Sequence, residues 1–193
     1  MLIVCVEVAL VEDRLVGGLL ACPSCREVLR PWGHARPRVL RCRSGDRGLR
    51  PRRARCLGCR GTHVLLPEIA LLRRQDEVSV IGAAITASVS GMGYRRIARG
   101  LGVPADTVRG WLRRFAERAE LLRGHFTRCA VAVDPELGPV MPAGSGIADV
   151  VEVIAVAARS WVLRFGPADP WAVVSRLSGG GLLATRVPAF PWA

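Results

Sequence analysis

Two pairs of cysteines have the residue type and the spacing of a metal site. Cys22 and Cys25 form one Cys-x-x-Cys pair, Cys56 and Cys59 form the other, and 30 residues separate the pairs. A tight turn can direct both sulfurs of a pair toward one point, and four thiolates complete the tetrahedral shell that zinc prefers. The spacing therefore predicts one zinc ion held by these four cysteines. A redox role is disfavoured because no βαβ pattern surrounds either pair.

Five further cysteine and histidine residues are interpreted as structural. Cys42, His34 and His63 lie between or just after the pairs and are candidate substitute ligands. Because the four-cysteine set is already complete, we expect them to lie outside the metal's coordination shell. Cys5 and Cys129 stand in apolar surroundings and are expected to act as small core residues.

The residue after each cysteine pair departs from the common pattern. Such turns often place glycine there, since the backbone becomes left-handed, whereas this chain has Arg26 and Arg60. A non-glycine residue in that conformation costs about 1 kcal/mol, which metal binding can offset. The departure makes the turn conformation less certain but leaves the four ligands in place.

The elements that would position the cysteines are turns and short strands. A β-rich run at residues 38–42 is followed by a Ser/Gly/Asp-rich turn at 44–48 and a second run at 49–56. Another β-rich run covers residues 62–66. Turn, hairpin, turn and strand together predict a zinc-ribbon-like module over residues 22–67, preceded by an N-terminal lead at 1–21.

A helical module is predicted over residues 76–128. Apolar residues spaced by three and four predict an amphipathic helix over 76–90, and a second helix covers Tyr94–Leu101. Gly102 and Pro104 then form a short turn, and a third helix runs from Ala105 to near residue 125. Two helices joined by a glycine-containing turn, the second long and basic, are typical of a helix-turn-helix.

The outward residues of these two helices predict contacts with double-stranded DNA. Arg109 and Arg113 are one helical turn apart and could enter one major groove, where arginine pairs with guanine. The expected base-reading residues are Ala105, Asp106, Arg109 and Arg113, and the expected phosphate contacts are Arg95, Arg96, Arg99 and Thr107. The alternative is a solvated face in which Asp106, Glu117 and Glu120 pair with neighbouring arginines.

The charge distribution favours a polyanionic partner. All 28 basic residues are arginine, and the net charge is +12. Residues 22–128 carry +15, residues 1–21 carry −2 and residues 129–193 carry −1. Half of the chain is hydrophobic, as in ordinary globular proteins. Neither a membrane span nor a signal peptide is predicted, so we expect a cytoplasmic protein.

Residues 129–193 form an apolar tail. A helix that is apolar almost all round is predicted after Pro142, and Asp169-Pro170 begins another that ends at residues 179–181. These helices should pack either on the helical module or on a second copy of the chain, which would give a homodimer. The predicted fold class is mainly α with a small β zinc ribbon, in which a helix-turn-helix bundle is followed by apolar C-terminal helices.

The motifs together resemble a known group of proteins. They are the strings at residues 22–25, 29–33, 52–59 and 62–67, with the helix-turn-helix string at 94–112. The chain is similar over roughly residues 10–128 to uncharacterised zinc-ribbon plus helix-turn-helix proteins of high-GC bacteria, often described as transposase-like. Relatives often have glycine where this chain has Arg26 and Arg60. The resemblance implies DNA binding and an association with mobile elements, as a regulator or an accessory, and implies no established reaction.

Two alternatives belong to other functional classes. A remnant or partial transposase enzyme would need three carboxylates around Mg²⁺, and beyond the binding modules the chain offers only Asp134, Glu136, Asp149, Glu152 and Asp169. About 60 residues of apparent helix are too few for such a domain. The second alternative is a zinc-ribbon module that binds protein or RNA, which the sequence leaves open. The favoured hypothesis is a non-enzymatic, zinc-stabilised DNA-binding protein.

Overall fold

The computed structural model describes residues 1–184, which form six strands and seven helices. The strands are β1 (Leu2–Val4), β2 (Leu29–His34), β3 (Arg38–Cys42), β4 (Gly45–Leu49), β5 (Arg52–Cys56) and β6 (Thr62–Pro67). The helices are α1 (Val8–Val16), α2 (Val78–Val89), α3 (Tyr94–Leu101), α4 (Ala105–Ala116), α5 (Ala119–Val133), α6 (Gly146–Phe165) and α7 (Pro170–Leu177). The first seventy or so residues build a sheet layer, and the rest build a helical layer.

The sheet layer contains a four-stranded mixed sheet in the order β1-β6-β5-β2. Strand β1 runs parallel to β6, and the other neighbours are antiparallel. Helix α1 contributes the buried side chains of Val11 and Leu15 to the core of this sheet, where they join Leu29 and Leu65. Strands β3 and β4 form a separate two-stranded hairpin. The small core of this layer also includes Cys22 and Cys56, so the cysteine turns are part of its packing.

The predicted fold class is wrong. The β part is a four-stranded mixed sheet with an additional hairpin, larger than a small zinc ribbon, and the seven helices do not form a simple helix-turn-helix bundle. The physical reason is a non-local pairing, since Leu2 in β1 lies opposite Leu65 in β6. The pairing brings residues of the predicted N-terminal lead into the sheet. The chain therefore combines a mixed sheet with a helical layer.

The predicted helices agree with the structure except near residue 117. Helices α2 and α3 lie where the apolar spacing placed them, and Gly102 adopts the left-handed conformation at the end of α3. The single helix expected from Ala105 to near residue 125 is instead two helices, because the chain leaves helical geometry at Arg118. The interruption lets the buried faces of α4 and α5 point into the same core.

The tail packs on the helical layer of its own chain. Helix α6 lies along α5, with Val150, Ile154 and Ala157 buried between them in the large helical core. Asp169 caps α7, its carboxylate accepting a hydrogen bond from the Ala172 N–H at 2.8 Å, as the Asp-Pro start predicted. The burial of α6 therefore needs no second copy of the chain, and a homodimer stays a prediction. The last part of the predicted tail, residues 185–193, lies outside the described residues.

Helix α7 and the residues after it join the two layers. The Ser175 hydroxyl donates to the Ala70 carbonyl at 3.0 Å, and the Leu72 N–H donates to the Gly180 carbonyl at 2.9 Å. Arg176 forms an ion pair with Glu68. Buried polar bonds of this kind fix one relative placement, because a shift would leave their donors unpaired. Over residues 1–184, no helix has both the length and the apolar character needed to cross a membrane.

Candidate metal centre and basic surface

The structure brings Cys22, Cys25, Cys56 and Cys59 together. Their four sulfur atoms all lie within 4.8 Å of one another. The Cys25 and Cys56 sulfurs are 3.3 Å apart, and the Cys22 and Cys59 sulfurs are 3.8 Å apart. Two of the cysteines are buried and two are exposed. The predicted ligand set is therefore assembled in a geometry that could hold one metal ion.

Two turns of similar conformation position the sulfurs. The first follows α1 and leads into β2, and the second joins β5 to β6. Arg26 and Arg60, which follow the two pairs, both have a left-handed backbone with φ values of 66° and 60°. Such residues store strain. In the second turn, a Cβ at Gly58 would lie 2.7 Å from the Glu27 side chain, so glycine permits the close approach of the turns.

The two buried thiols of the cluster differ in how readily they ionise. Burial alone would raise the pKa of the Cys22 thiol, but hydrogen bonds from the backbone N–H groups of Ser24 and Cys25 and from neighbouring thiols lower this pKa to about 6. Burial and the shared hydrogen bond with Cys25 raise the pKa of Cys56 to about 12. Cys22 and Cys56 therefore do not ionise together on their own, and a metal ion that binds Cys56 must displace its proton.

His63 contacts the sulfur cluster through Cys22. Its Nε2 atom lies 3.3 Å from the Cys22 sulfur, and its Nδ1 atom lies 3.1 Å from the Met1 nitrogen. A side chain that contacts a ligand sulfur can orient that ligand and tune its charge. The sequence offers His63 as a substitute ligand but does not predict this contact with Cys22. The position of His63 on β6, four residues after Cys59, is the sequence feature from which this contact could have been predicted.

The other cysteines and histidines lie outside the sulfur cluster. The Cys42 sulfur donates to the Leu40 carbonyl in β3, and His34 is exposed at the end of β2. Cys129 is fully buried in the helical core, where burial raises its pKa to about 12. Cys5 packs at the edge of the sheet core. Among the described residues, the sulfur cluster contains none of these four, and their structural role stays a prediction.

The α3–α4 pair exposes most of the side chains that were expected to contact DNA. Arg95, Arg96 and Arg99 are exposed on α3, and among residues 1–184 no carboxylate lies within ion-pair distance of them. Arg109 and Arg113 on α4 are about two-thirds exposed, at 66% and 67%. We call these five residues the α3–α4 arginines. They form a basic surface on two adjacent helices.

Weak ion pairs neutralise part of this surface. Arg109 lies 3.5 Å from Asp106, and Arg113 lies 3.7 Å from Glu117. Both ion pairs are solvent-exposed, and such pairs contribute about 0–1 kcal/mol to stability. Another anion would therefore readily replace the carboxylates of Asp106 and Glu117. Ala105 and Thr107 at the start of α4 are half-buried, with Ala105 packed against the helical core.

Comparison of the chain with family models, with curated proteins and with solved structures gave no match. The resemblance to transposase-like proteins therefore stays a prediction.

Proposed function

We propose that this chain is a non-enzymatic, zinc-stabilised protein that binds double-stranded DNA through the α3–α4 arginines. The observation that carries the proposal is that Arg95, Arg96 and Arg99 share one exposed helix without a carboxylate partner among the described residues. A group of exposed arginines without carboxylate partners usually indicates a binding partner that carries phosphate groups. The resemblance to transposase-like proteins supports DNA as that partner, with the chain acting as a regulator or an accessory of mobile elements.

Zinc is the metal that best fits four cysteines. Soft thiolate ligands select zinc and iron–sulfur chemistry over Mg²⁺ or Ca²⁺, and a single tetrahedral S₄ site suits zinc. A complete four-ligand shell leaves no open position for a substrate, which favours a structural role. Metal analysis of the purified chain should find about one zinc per chain. A stoichiometry near zero in protein purified without chelator would contradict the assignment.

The proposed contacts divide the arginines by role. Helix α4 would enter the major groove, where Arg109 and Arg113 could each donate two hydrogen bonds to guanine. The arginines of α3 would contact phosphates, which fixes the register without reading sequence. Asp106 lies beside Arg109 and would hold its guanidinium until a base displaces it.

Two of the five tail carboxylates available to a transposase site already have structural partners. Asp149 accepts a hydrogen bond from the Ala143 N–H at 2.6 Å, and Asp169 caps α7. Both carboxylates already bind backbone N–H groups, as helix-terminal acids commonly do. They therefore have a structural role that needs no bound Mg²⁺.

A mobility-shift titration with duplex DNA tests the proposal. Zinc-loaded protein should bind at low salt, and its affinity should fall steeply as salt is raised, because each neutralised phosphate releases counterions. Absence of binding at low salt would overturn the proposal.

A pair of variants tests the division of roles. Arg109→Ala should relax sequence preference by about 1–3 kcal/mol at one base position, whereas Arg95→Ala should weaken all duplexes alike and reduce the salt slope by about one. Selection from a random DNA pool would supply the sequences to compare. Equal effects of the two variants on all sequences would refute the assignment.

A further inference from the structure

A cleft lined with arginine lies between the sheet layer and the end of α4. Its volume is about 830 Å³, which is in the range of ligand sites. Arg36 and Arg38 reach it from the start of β3 and the segment before it, and Arg73 and Arg74 reach it from the segment between β6 and α2. Leu183 forms part of its wall. We call it the junction cleft.

Helix α4 and the interruption after it supply the opposite wall. Arg113, Arg114 and Arg118 line the cleft there, and Glu117 is the single carboxylate among the described lining residues. Its nearest cation is Arg113, at 3.7 Å. Seven arginines therefore face one acid. Arginine keeps its charge in proteins, so this cleft concentrates positive charge.

Three of these guanidinium groups contain buried N–H donors that have no partner. Nε and Nη2 of both Arg38 and Arg118, and Nε of Arg74, have no hydrogen-bond acceptor among the described residues. Burial lowers the pKa values of all three side chains, and for Arg74 the nearby Arg114 adds to the effect. Buried donors and charges that lack partners are unfavourable in a folded protein. An anion in the cleft would offset the unpaired charge, and a rotation of the guanidinium groups would bring their free donors to it.

We propose that the junction cleft binds phosphate groups, as an oligophosphate or a phosphodiester chain. Guanidinium groups match phosphate oxygens two at a time, and each phosphate offers several acceptors to arginines that approach from different sides. The cleft is large enough for several phosphates in a row. A single carboxylate would satisfy fewer of the free donors. Arg113 belongs to both surfaces, but the free donors lie on Arg38, Arg74 and Arg118. The proposal therefore does not depend on DNA binding by the α3–α4 arginines.

Calorimetric titration with inorganic tripolyphosphate at low ionic strength tests this site. The wild-type chain should bind one tripolyphosphate, and Arg118→Gln should lower the affinity at least tenfold. Because no described partner of Arg118 Nε or Nη2 is lost, this variant should keep the fold. Arg38→Gln serves as a second variant with the same expectation. Arg159→Gln, which removes an exposed charge on α6 outside the cleft, is the matched control and should bind within twofold of wild type.

Two results would overturn the proposal. One is the absence of tripolyphosphate binding by the wild-type chain, which would mean that water satisfies the free donors. The other is a loss of affinity in Arg159→Gln equal to that in Arg118→Gln, which would mean that net charge alone attracts the probe.

A second arm identifies the source of the phosphates. If tripolyphosphate displaces duplex DNA and Arg118→Gln weakens DNA binding tenfold, the cleft holds the DNA backbone next to α4. If Arg118→Gln leaves DNA affinity unchanged while tripolyphosphate binding is lost, the ligand is a free oligophosphate. Failure of DNA binding alone would contradict the proposed function and leave the calorimetric result standing.

Discussion

Removing the metal should unfold the sheet layer and spare the helical layer. The sheet layer has a small core, and two of its fully buried members, Cys22 and Cys56, are candidate ligands. The helical layer has a separate and larger core that contains none of the four cysteines. A chelator therefore acts on one layer directly and on the other only through their junction.

The magnitudes support a complete loss of the sheet layer. Folded proteins are stable by roughly 0.05–0.15 kcal/mol per residue, or about 4–11 kcal/mol for a segment of this length. Structural zinc contributes about 10–16 kcal/mol in small metal-dependent domains at neutral pH. The metal term therefore equals or exceeds the whole stability of the layer. Without metal, the thiol of Cys56 also stays protonated in a buried site.

Hydrogen exchange measured with and without chelator is the direct assay. Amides of β5 and β6 should lose protection after the metal is removed, whereas those of α5 and α6 should keep it. Cys56→Ser should reproduce the effect of the chelator. Cys42→Ser changes a cysteine outside the sulfur cluster, whose thiol donates to the Leu40 carbonyl. This variant is the matched control, and its β5 amides should be as protected as those of wild type. Unchanged protection of β5 in protein shown to be metal-free would refute the reasoning, and so would equal loss in α5.

Two further predictions concern stability. A Cβ at Gly82 would overlap the Trp171 ring, so Gly82→Ala should lower the unfolding free energy by about 2–3 kcal/mol in chemical denaturation. Gly124→Ala is the control, because only the end of the Arg128 side chain lies near the added Cβ, at 3.6 Å. This variant should raise the unfolding free energy by up to about 1 kcal/mol. Equal effects of the two variants on the unfolding free energy would contradict the described α2–α7 packing. The Arg52 hydrogen bond lowers the pKa of Glu12 below its usual 4.5, so this pair stabilises the fold above that pH and its contribution is lost as the pH falls through the lowered value. Because the Glu12 side chain is 40% exposed, Glu12→Gln should cost only about 0.5–1 kcal/mol at pH 7. This difference should shrink as the pH falls below 4.5 and through the lowered pKa of Glu12; a difference independent of pH would rule out the ion pair as its cause.

The parts that the sequence predicted correctly are those set by local chemistry. The sulfurs of two cysteines in one turn can point toward the same place whatever the rest of the chain does. For this reason the sequence predicted the cluster of four sulfurs correctly. Tyr94–Leu101 is bounded by glycines on both sides, and its left-handed end at Gly102 follows from the residue type. Asp169 likewise caps a helix that Pro170 begins.

The parts that the sequence missed depend on distant residues. Nothing local to Leu2–Val4 shows that it pairs with β6, more than sixty residues away. Helix α4 ends before Arg118 without a glycine or proline, because packing of α5 sets the direction of the chain there. The junction cleft draws arginines from three separate stretches. A count of charges along the chain could identify the basic segment but not this convergence.

The bonds from α7 to the sheet layer also constrain the order of folding during synthesis. Ser175 is 105 residues beyond Ala70 in the chain, so the ribosome has made the whole sheet layer long before its partner emerges. Closing a contact over such a separation is slow compared with forming a hairpin or a helix. We therefore expect the sheet layer to fold first around the proposed metal ion, with the Ala70 carbonyl facing water. The junction cleft, whose wall includes Leu183, is complete only after α7 and the residues that follow it dock.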